Sequence, residues 1–385
     1  MAVPRSWDVF CHVVDNFGDA AVCWRLARAL VALPATQQVR LWIDELEVLH
    51  ALVPEIAPGV AQQSYAAVEV CRLVEEPCFG APADVAVDGF GGGLPEVYAE
   101  AMVERVPRPL WIVLEYLSAE PWVPGHHGLP SPHPHLPLER YFFFPGFGAG
   151  TGGLLREEGF RARRAAFLND PKRRAALWRD AGVAPPAKDA RLVTLFGYEG
   201  APLGELLDAW AGAEPVWLAV PPSPLASEVA AFLGASGAAG QSRRRGALQA
   251  AFLPFLPQDR YDELLWAADW NFVRGEDSFV QAQWAERPFT WQLYPQSEAA
   301  HLPKLDAFLG VYCAGLPAEM AAPLGTLFRG WNGVSLQPGE LRRTWAALTR
   351  HREALRLHAR EWAARAAEAG ELAMNLASFC AERLK

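Results

Sequence analysis

Two short stretches of this chain place carboxylates, a glycine and other polar or charged side chains within one turn. In Asp15-Asn16-Phe17-Gly18-Asp19, two carboxylates share the link between an apolar run and an amphipathic one. Gly18 lets backbone approach a ligand closely. Carboxylates so placed suit a general base, or a pair that orients a cationic nucleophile. Asp19 is also suited to capping the helix expected from Ala20. In Asn271-Phe272-Val273-Arg274-Gly275-Glu276-Asp277-Ser278-Phe279, an apolar run stops at Gly275 and feeds three polar residues into a helix. A strand that ends at a glycine and opens a helix presents free N–H groups and the positive end of the helix dipole, an arrangement that binds anions. Arg274 adds a fixed charge and a bidentate fork suited to phosphate. The plainer use of the same residues is local: caps, and an ion pair between Arg274 and its neighbours.

The elements that must position these turns follow from the apolar pattern. Residues 7–14, 39–44, 84–88, 110–114 and 141–144 read as strands, short and rich in β-branched, aliphatic or aromatic side chains. Residues 20–33 read as a helix with Val22, Leu26, Ala29, Leu30 and Leu33 on one face, and 156–179 as mostly helical. A linker is expected at 184–189, where prolines cluster. The alternation then restarts, with strands at 191–195, 216–220, 249–252, 270–273 and 289–292, and helices at 261–268 and from 276 to 287. From Glu340 onward the chain reads as helical, with a break at Ala369-Gly370. Alternation of this kind implies an α/β fold with mostly parallel sheets. Ligands in such sheets bind off the carboxyl ends of the strands, and each turn lies at that end of its own half. Two such edges facing each other would form one interdomain cleft.

Bulk properties narrow the class. A chain of 385 residues is comfortable as two domains, and 51% apolar against 21% charged residues supplies a sizeable core. A net charge of −9 argues against nucleic acid as the main partner and suits a basic partner or a locally basic site. Fifteen Trp point to buried ring systems or to aromatic walls of a ligand cleft. The six Cys include no Cys-x-x-Cys pair, the start lacks a signal-peptide apolar region, and no run has the length of a membrane span. The expectation is a cytoplasmic protein with reduced thiols.

Several familiar motifs are missing. No Asp-x-Asp occurs, so the usual carboxylates that hold a divalent ion on a nucleotide sugar are lacking, which favours phosphate neutralisation by Arg274 and backbone N–H groups. No Gly-x-Ser-x-Gly elbow and no P-loop occur. Gly148-Ala149-Gly150-Thr151-Gly152-Gly153 matches Gly-x-Gly-x-x-Gly formally, but no acidic strand end follows about 20 residues on, where a dinucleotide fold would need one. His126-His127 and His133-Pro134-His135 have no carboxylate or Cys between them and read as a proline-stiffened loop rather than a metal site. Phe196, Tyr198 and Phe255 follow strands in the second half, where they serve either a nucleobase or the core.

Taken in chain order, certain motifs are long and uncommon. They are the 15–19 turn followed by Val22-Cys23-Trp24-Arg25-Leu26-Ala27-Arg28; Leu114-Glu115-Tyr116-Leu117-Ser118-Ala119-Glu120; Leu129-Pro130-Ser131-Pro132-His133-Pro134; Phe142-Phe143-Phe144-Pro145-Gly146-Phe147 with Thr151-Gly152-Gly153-Leu154; and the 271–280 stretch with Ala282-Gln283-Trp284. Together they resemble the bacterial EarP family, protein-arginine rhamnosyltransferases that act on translation elongation factor P. The resemblance spans nearly the whole chain. It implies a GT-B glycosyltransferase fold: two Rossmann-like domains facing an interdomain cleft, and a C-terminal helix returning to the first domain. The implied domains are residues 1–183, joined by about 365–385, for the acceptor, and 184–364 for the nucleotide sugar. The implied donor is dTDP-β-L-rhamnose and the product an α-rhamnosyl arginine, formed with inversion and without a metal or other cofactor. The implied partners are elongation factor P and the donor, with no nucleic acid and no membrane. Asp15, Asp19 and Glu276 match the family's essential carboxylates. Phe196, Tyr198, Phe255, Gln258, Arg274, Asp277 and Ser278 match its donor positions, and Phe17, Gly18 and Glu276 complete the expected donor-binding set. Gly197 stands where the family carries a bulkier residue, which would loosen the nucleobase wall, and the loop between Gly146 and Thr151 is richer in glycine. Glu115, Tyr116 and Glu120 are candidates for the acceptor side. Two rivals are a dinucleotide-dependent oxidoreductase using the 148–153 glycines, and a non-enzymatic protein that docks on a translation factor.

Overall fold

The computed structural model describes residues 3–14, 17–74, 79–212 and 214–384. The chain forms two compact units: Met1–Phe160 with Arg365–Lys385, and Arg161–Ala364.

The first unit is built on strands β1 (Ser6–Cys11), β2 (Gln38–Ile43), β3 (Gln62–Tyr65), β4 (Val68–Arg72), β5 (Val85–Gly89), β6 (Leu110–Leu114), β7 (Pro130–Pro132) and β8 (Glu139–Phe143). Their order is β3-β4-β2-β1-β5-β6-β8-β7, antiparallel only at the two edge pairs β3/β4 and β7/β8. β1 lies between β2 and β5 and is buried at every position but its first, which explains why its buried positions are apolar with one exception. The exception is Asp8, fully buried in mid-strand. It survives there because Arg40, Trp42, Tyr98 and the Ala83 N–H all donate to it, so its charge is paired and its lone pairs are filled.

The second unit holds β9 (Arg191–Leu195), β10 (Val216–Val220), β11 (Ser242–Arg245), β12 (Leu248–Phe252), β13 (Trp270–Arg274) and β14 (Phe289–Gln292), in the order β11-β12-β10-β9-β13-β14. Every pairing is parallel except β11/β12. Both sheets thus carry the doubly wound Rossmann arrangement, with the first strand of each unit at the centre.

The division between units falls at Phe160, not at 183. The helices Phe160–Asn169 and Pro171–Asp180 pack with the second sheet's layer: Phe167 meets Trp266 edge-on at 5.7 Å, and Trp178 meets Trp217 at 4.9 Å. The proline-rich 184–189 stretch is therefore an internal connection of the second unit. At the other end, Gly370 (φ 86) breaks the helical tail, and the helix Leu372–Ala381 returns to the first unit. There Leu372, Ala373, Leu376 and Cys380 join the same buried cluster as Val9, Leu26 and Leu41.

All the tryptophans but Trp122 are buried, so the core reading of their abundance is the correct one. The described cysteines are free thiols. Among the described residues, no helix is long and apolar enough to cross a membrane.

Candidate active site

In the first unit, β1 ends at Cys11 rather than at Val14, and the following helix spans Phe17–Val31, starting before Ala20. Asp15 and Asn16 lie outside the described residues. Phe17 and Gly18 are half-buried in the helix's first turn. Asp19 is buried, and its Oδ2 accepts the Val14 N–H at 2.9 Å. Asp19 is thus not the cap in front of the helix; it lies inside the first turn and folds the incoming chain back onto itself. One carboxylate oxygen is held by this bond, which orients the other. Close by, His12 pairs with Asp44 at 3.2 Å, and the Val13 N–H donates to the same carboxylate at 3.1 Å. The Cys11 thiol is pushed well up by its bond with Cys23, by burial and by the charges of Asp19 and Asp44, so it is no nucleophile.

In the second unit, β13 carries Arg274 to the carboxyl end of the sheet, Gly275 turns with φ 64, and the helix Asp277–Trp284 begins. A left-handed turn at that point suits glycine. The Arg274 guanidinium lies over two rings, 4.4 Å from the centroid of Phe196 and 4.6 Å from that of Tyr198. Its Nη1 also reaches the Gly197 carbonyl at 3.4 Å. Both aromatics follow β9, the strand beside β13. Ser278 donates its hydroxyl hydrogen to the Arg274 carbonyl and closes the turn. Gln258, buried at the start of its helix, donates to Asp277 Oδ2 at 3.4 Å. Glu276 occupies the cap position, and its side chain does not cap the helix. Phe255 stands partly exposed beyond β12. Thus Phe196, Tyr198, Gln258, Arg274, Asp277 and Ser278 form one contiguous group at one sheet edge, and Phe255 and Glu276 belong to loops of the same edge.

A family model described as Elongation-Factor P (EF-P) rhamnosyltransferase EarP matches residues 7–381. The chain belongs to the EarP family. It is 45% identical over 379 residues to the protein-arginine rhamnosyltransferase of Pseudomonas putida, covering 98% of this chain and 99% of that one. The solved structure that gives the structural basis for EarP-mediated arginine glycosylation of translation elongation factor EF-P is 34% identical, with a TM-score of 0.66, and covers 97% of this chain and 98% of that one. Spinosyn rhamnosyltransferase SpnG, complexed with thymidine diphosphate, is similar in fold alone: 13% identity, a TM-score of 0.50, and coverage of 97% of this chain and 99% of that one. The fold is that of GT-B glycosyltransferases.

Within this EarP chain the Gly197 expectation needs correcting. A Cβ on Gly197 would lie 2.5 Å from Leu225 Cδ1 and 2.8 Å from Gln292 Oε1. The space a larger residue would take is already filled, so the wall is close-packed rather than loosened. Gln292 Oε1 also accepts the Tyr198 N–H at 2.7 Å, a support that motif reading did not find, since a lone Gln ending a strand carries no signal. Tyr261 was missed for the same reason. Its ring meets Phe196 edge-on at 5.7 Å, and burial pushes its hydroxyl pKa up. The 148–153 glycines do not form a dinucleotide turn. The Gly152 N–H returns to the Phe144 carbonyl at 2.7 Å, a Cβ on Gly153 would strike the Gly370 carbonyl, and the next helix starts only at Phe160. Gly152 and Gly153 leave room for the loop to pack against the chain entering the final helix, whereas a Cβ on Gly150 would meet Pro124 and one on Gly148 would meet nothing within 4 Å. In the His-rich loop, the His127 ring accepts the Phe144 N–H and the His133 ring accepts the Leu136 N–H, both structural tasks. No group of three His, Cys, Asp or Glu side chains that could hold a metal occurs among the described residues.

Proposed function

We propose that this protein-arginine rhamnosyltransferase takes L-rhamnose from dTDP-β-L-rhamnose and places it on an arginine side chain of elongation factor P, in the cytoplasm, with inversion at the anomeric carbon and no metal ion taking part. The observation that carries this reading is the Arg274 turn: a guanidinium set by Phe196 and Tyr198 beside the N-terminus of the helix Asp277–Trp284. Fixed positive charge and the positive end of the helix dipole at that point would meet the negative charge that grows on a departing diphosphate. Phe255 and the rings around Arg274 supply apolar faces suited to a thymine. Gln258 and Asp277 supply acceptors and donors suited to hydroxyl groups.

The acceptor poses the harder problem. A guanidinium has a pKa above about 12 and is a poor nucleophile while protonated. Asp19, with one oxygen pinned by the Val14 N–H, is the base in this proposal. A guanidinium nitrogen attacks the anomeric carbon, its N–C bond forms as the bond from that carbon to the diphosphate oxygen breaks, and the surplus proton passes to Asp19. Asp15 would hold the other face of the guanidinium fork. Glu276 would hold sugar hydroxyls or support the acceptor. Attack opposite the leaving group gives a single inversion.

Intact mass spectrometry of elongation factor P after incubation with dTDP-rhamnose and this protein tests the reading. A gain of one deoxyhexose is expected, and it is lost when the target arginine is replaced by lysine. No gain overturns the proposal.

A further inference from the structure

The carboxyl edge of the first sheet holds an aromatic pair, one ring packed on the core and the other exposed. Phe90, directly after β5, has φ 61. A bulky side chain adopts that left-handed conformation only under constraint, and such residues gather at ligand clamps. The constraint is visible: the Phe90 N–H bonds the Leu114 carbonyl at 2.7 Å, prolonging the β5/β6 ladder past the end of β5. Three glycines follow it, and any of them would sit in that conformation more easily, yet the aromatic residue occupies the position. The result is a stack. The Phe90 and Tyr116 rings have centroids 4.5 Å apart and planes within 20°. Phe90 is half-buried against the core, whereas Tyr116 is 41% exposed. Phe90 therefore acts as the backing and Tyr116 as the face.

The setting selects the ligand. β5 lies beside β1 and β6 beside β5, so the strand ends that lead into Phe90 and Tyr116 stand one and two strand spacings, roughly 5 and 10 Å, from the end of β1 at Cys11, three residues before the Val14 N–H that Asp19 accepts. Asp44, Glu115 and Glu120 belong to the same edge. At this edge Arg72, which ends β4, pairs with Glu47, and Asp44 pairs with His12. The Gly92 backbone packs over it, since a Cβ there would lie 2.7 Å from His12 Cδ2. An exposed ring within an acidic rim attracts a cation, and a planar guanidinium can stack on such a ring while offering its edge to carboxylates.

We propose that Tyr116, backed by Phe90, is the recognition face for the acceptor arginine: its ring carries the guanidinium plane and leaves the guanidinium edge to Asp19. This inference rests on the arginine-acceptor reading above and adds to it a specificity residue, Tyr116, and a positioning residue, Phe90. The test is steady-state kinetics with elongation factor P varied at saturating dTDP-rhamnose, alongside calorimetric titration with dTDP. Tyr116→Ala is expected to raise KM for elongation factor P roughly three- to thirtyfold, the span of a cation–ring contact. Tyr116→Phe keeps the ring and restores a near-native KM. Phe90→Gly, which the backbone accepts without strain, raises KM in the same direction by less. All three variants keep native dTDP affinity. A native KM in Tyr116→Ala overturns the inference, as does a loss that Tyr116→Phe fails to rescue or a parallel loss of dTDP affinity. If the unmodified protein adds no deoxyhexose, the arginine-acceptor reading falls and this inference with it. If it does add one while Tyr116→Ala keeps its KM, the recognition face alone is removed.

Discussion

At the scale of single residues, the proposed site rests on side chains held by specific contacts. Asp19 is fixed through the Val14 N–H, and asparagine can accept the same bond, so Asp19→Asn is expected to fold. It should lose on the order of 10²–10⁴ in turnover, the usual contribution of a general base. Thermal melting checks the fold and single-turnover transfer checks the chemistry; near-native turnover would remove Asp19 from this role. Arg274 is half-exposed and lies over Phe196 and Tyr198, so Arg274→Ala leaves the core intact. Calorimetry should show dTDP bound roughly ten- to a hundredfold more weakly, as expected from losing charge-assisted hydrogen bonds worth about 1.5–3 kcal/mol. Unchanged affinity would sink the phosphate assignment.

At the scale of elements, the proposed donor side depends on how tightly β9, β13 and β14 end together. Gln292, closing β14, accepts the Tyr198 N–H and blocks the space beside Gly197. The indole of Trp291 donates to the Gly275 carbonyl at 2.7 Å, so the glycine turn is pinned from the neighbouring strand. Adding even one methyl group at Gly197 should push Leu225 and Gln292 aside. Gly197→Ala is predicted to lose about 1–3 kcal/mol of stability, the usual effect of overpacking. Denaturant midpoints would show it, and dTDP affinity would fall in parallel as Tyr198 shifts. A variant as stable as the native protein would mean that Leu225 has room to retreat.

At the scale of the whole molecule, the last helix is structurally part of the first unit, although the second unit separates them in sequence. The Leu372 N–H bonds the Leu154 carbonyl at 3.1 Å, Arg156 pairs with Glu371, and Leu376 is fully buried. Ending the chain after Ala364 should therefore destabilise the first unit selectively. The expected outcome is loss of rhamnose transfer and of the first unit's thermal transition, with dTDP affinity kept by residues 161–364. Loss of dTDP affinity as well would show that the second unit needs the tail to fold.

Much of this architecture was legible in the residues alone. The strands at 110–114, 191–195, 216–220 and 289–292 have the bounds their apolar runs imply, because a parallel strand covered on both faces cannot carry an exposed position. The glycine turn after β13 and the break at Gly370 were equally clear, since local backbone conformation is encoded locally. The edge hairpin β3/β4 was not legible: β3 reads Gln-Gln-Ser-Tyr, mostly exposed, and only its partner makes it a strand. The end of β1 was also misplaced. Val13 and Val14 prolong its apolar run, and Val14 proves 82% exposed. The site divides the same way. Residue types and spacing singled out Asp19, Arg274, Phe196 and Tyr198 one by one. Their sequence could not disclose that Arg274 lies over both rings, that Gln292 fills the place of a side chain at Gly197, or that Phe90 backs Tyr116. Those relations join residues on different strands, and parallel pairing through long crossovers sets them only once the sheets have formed.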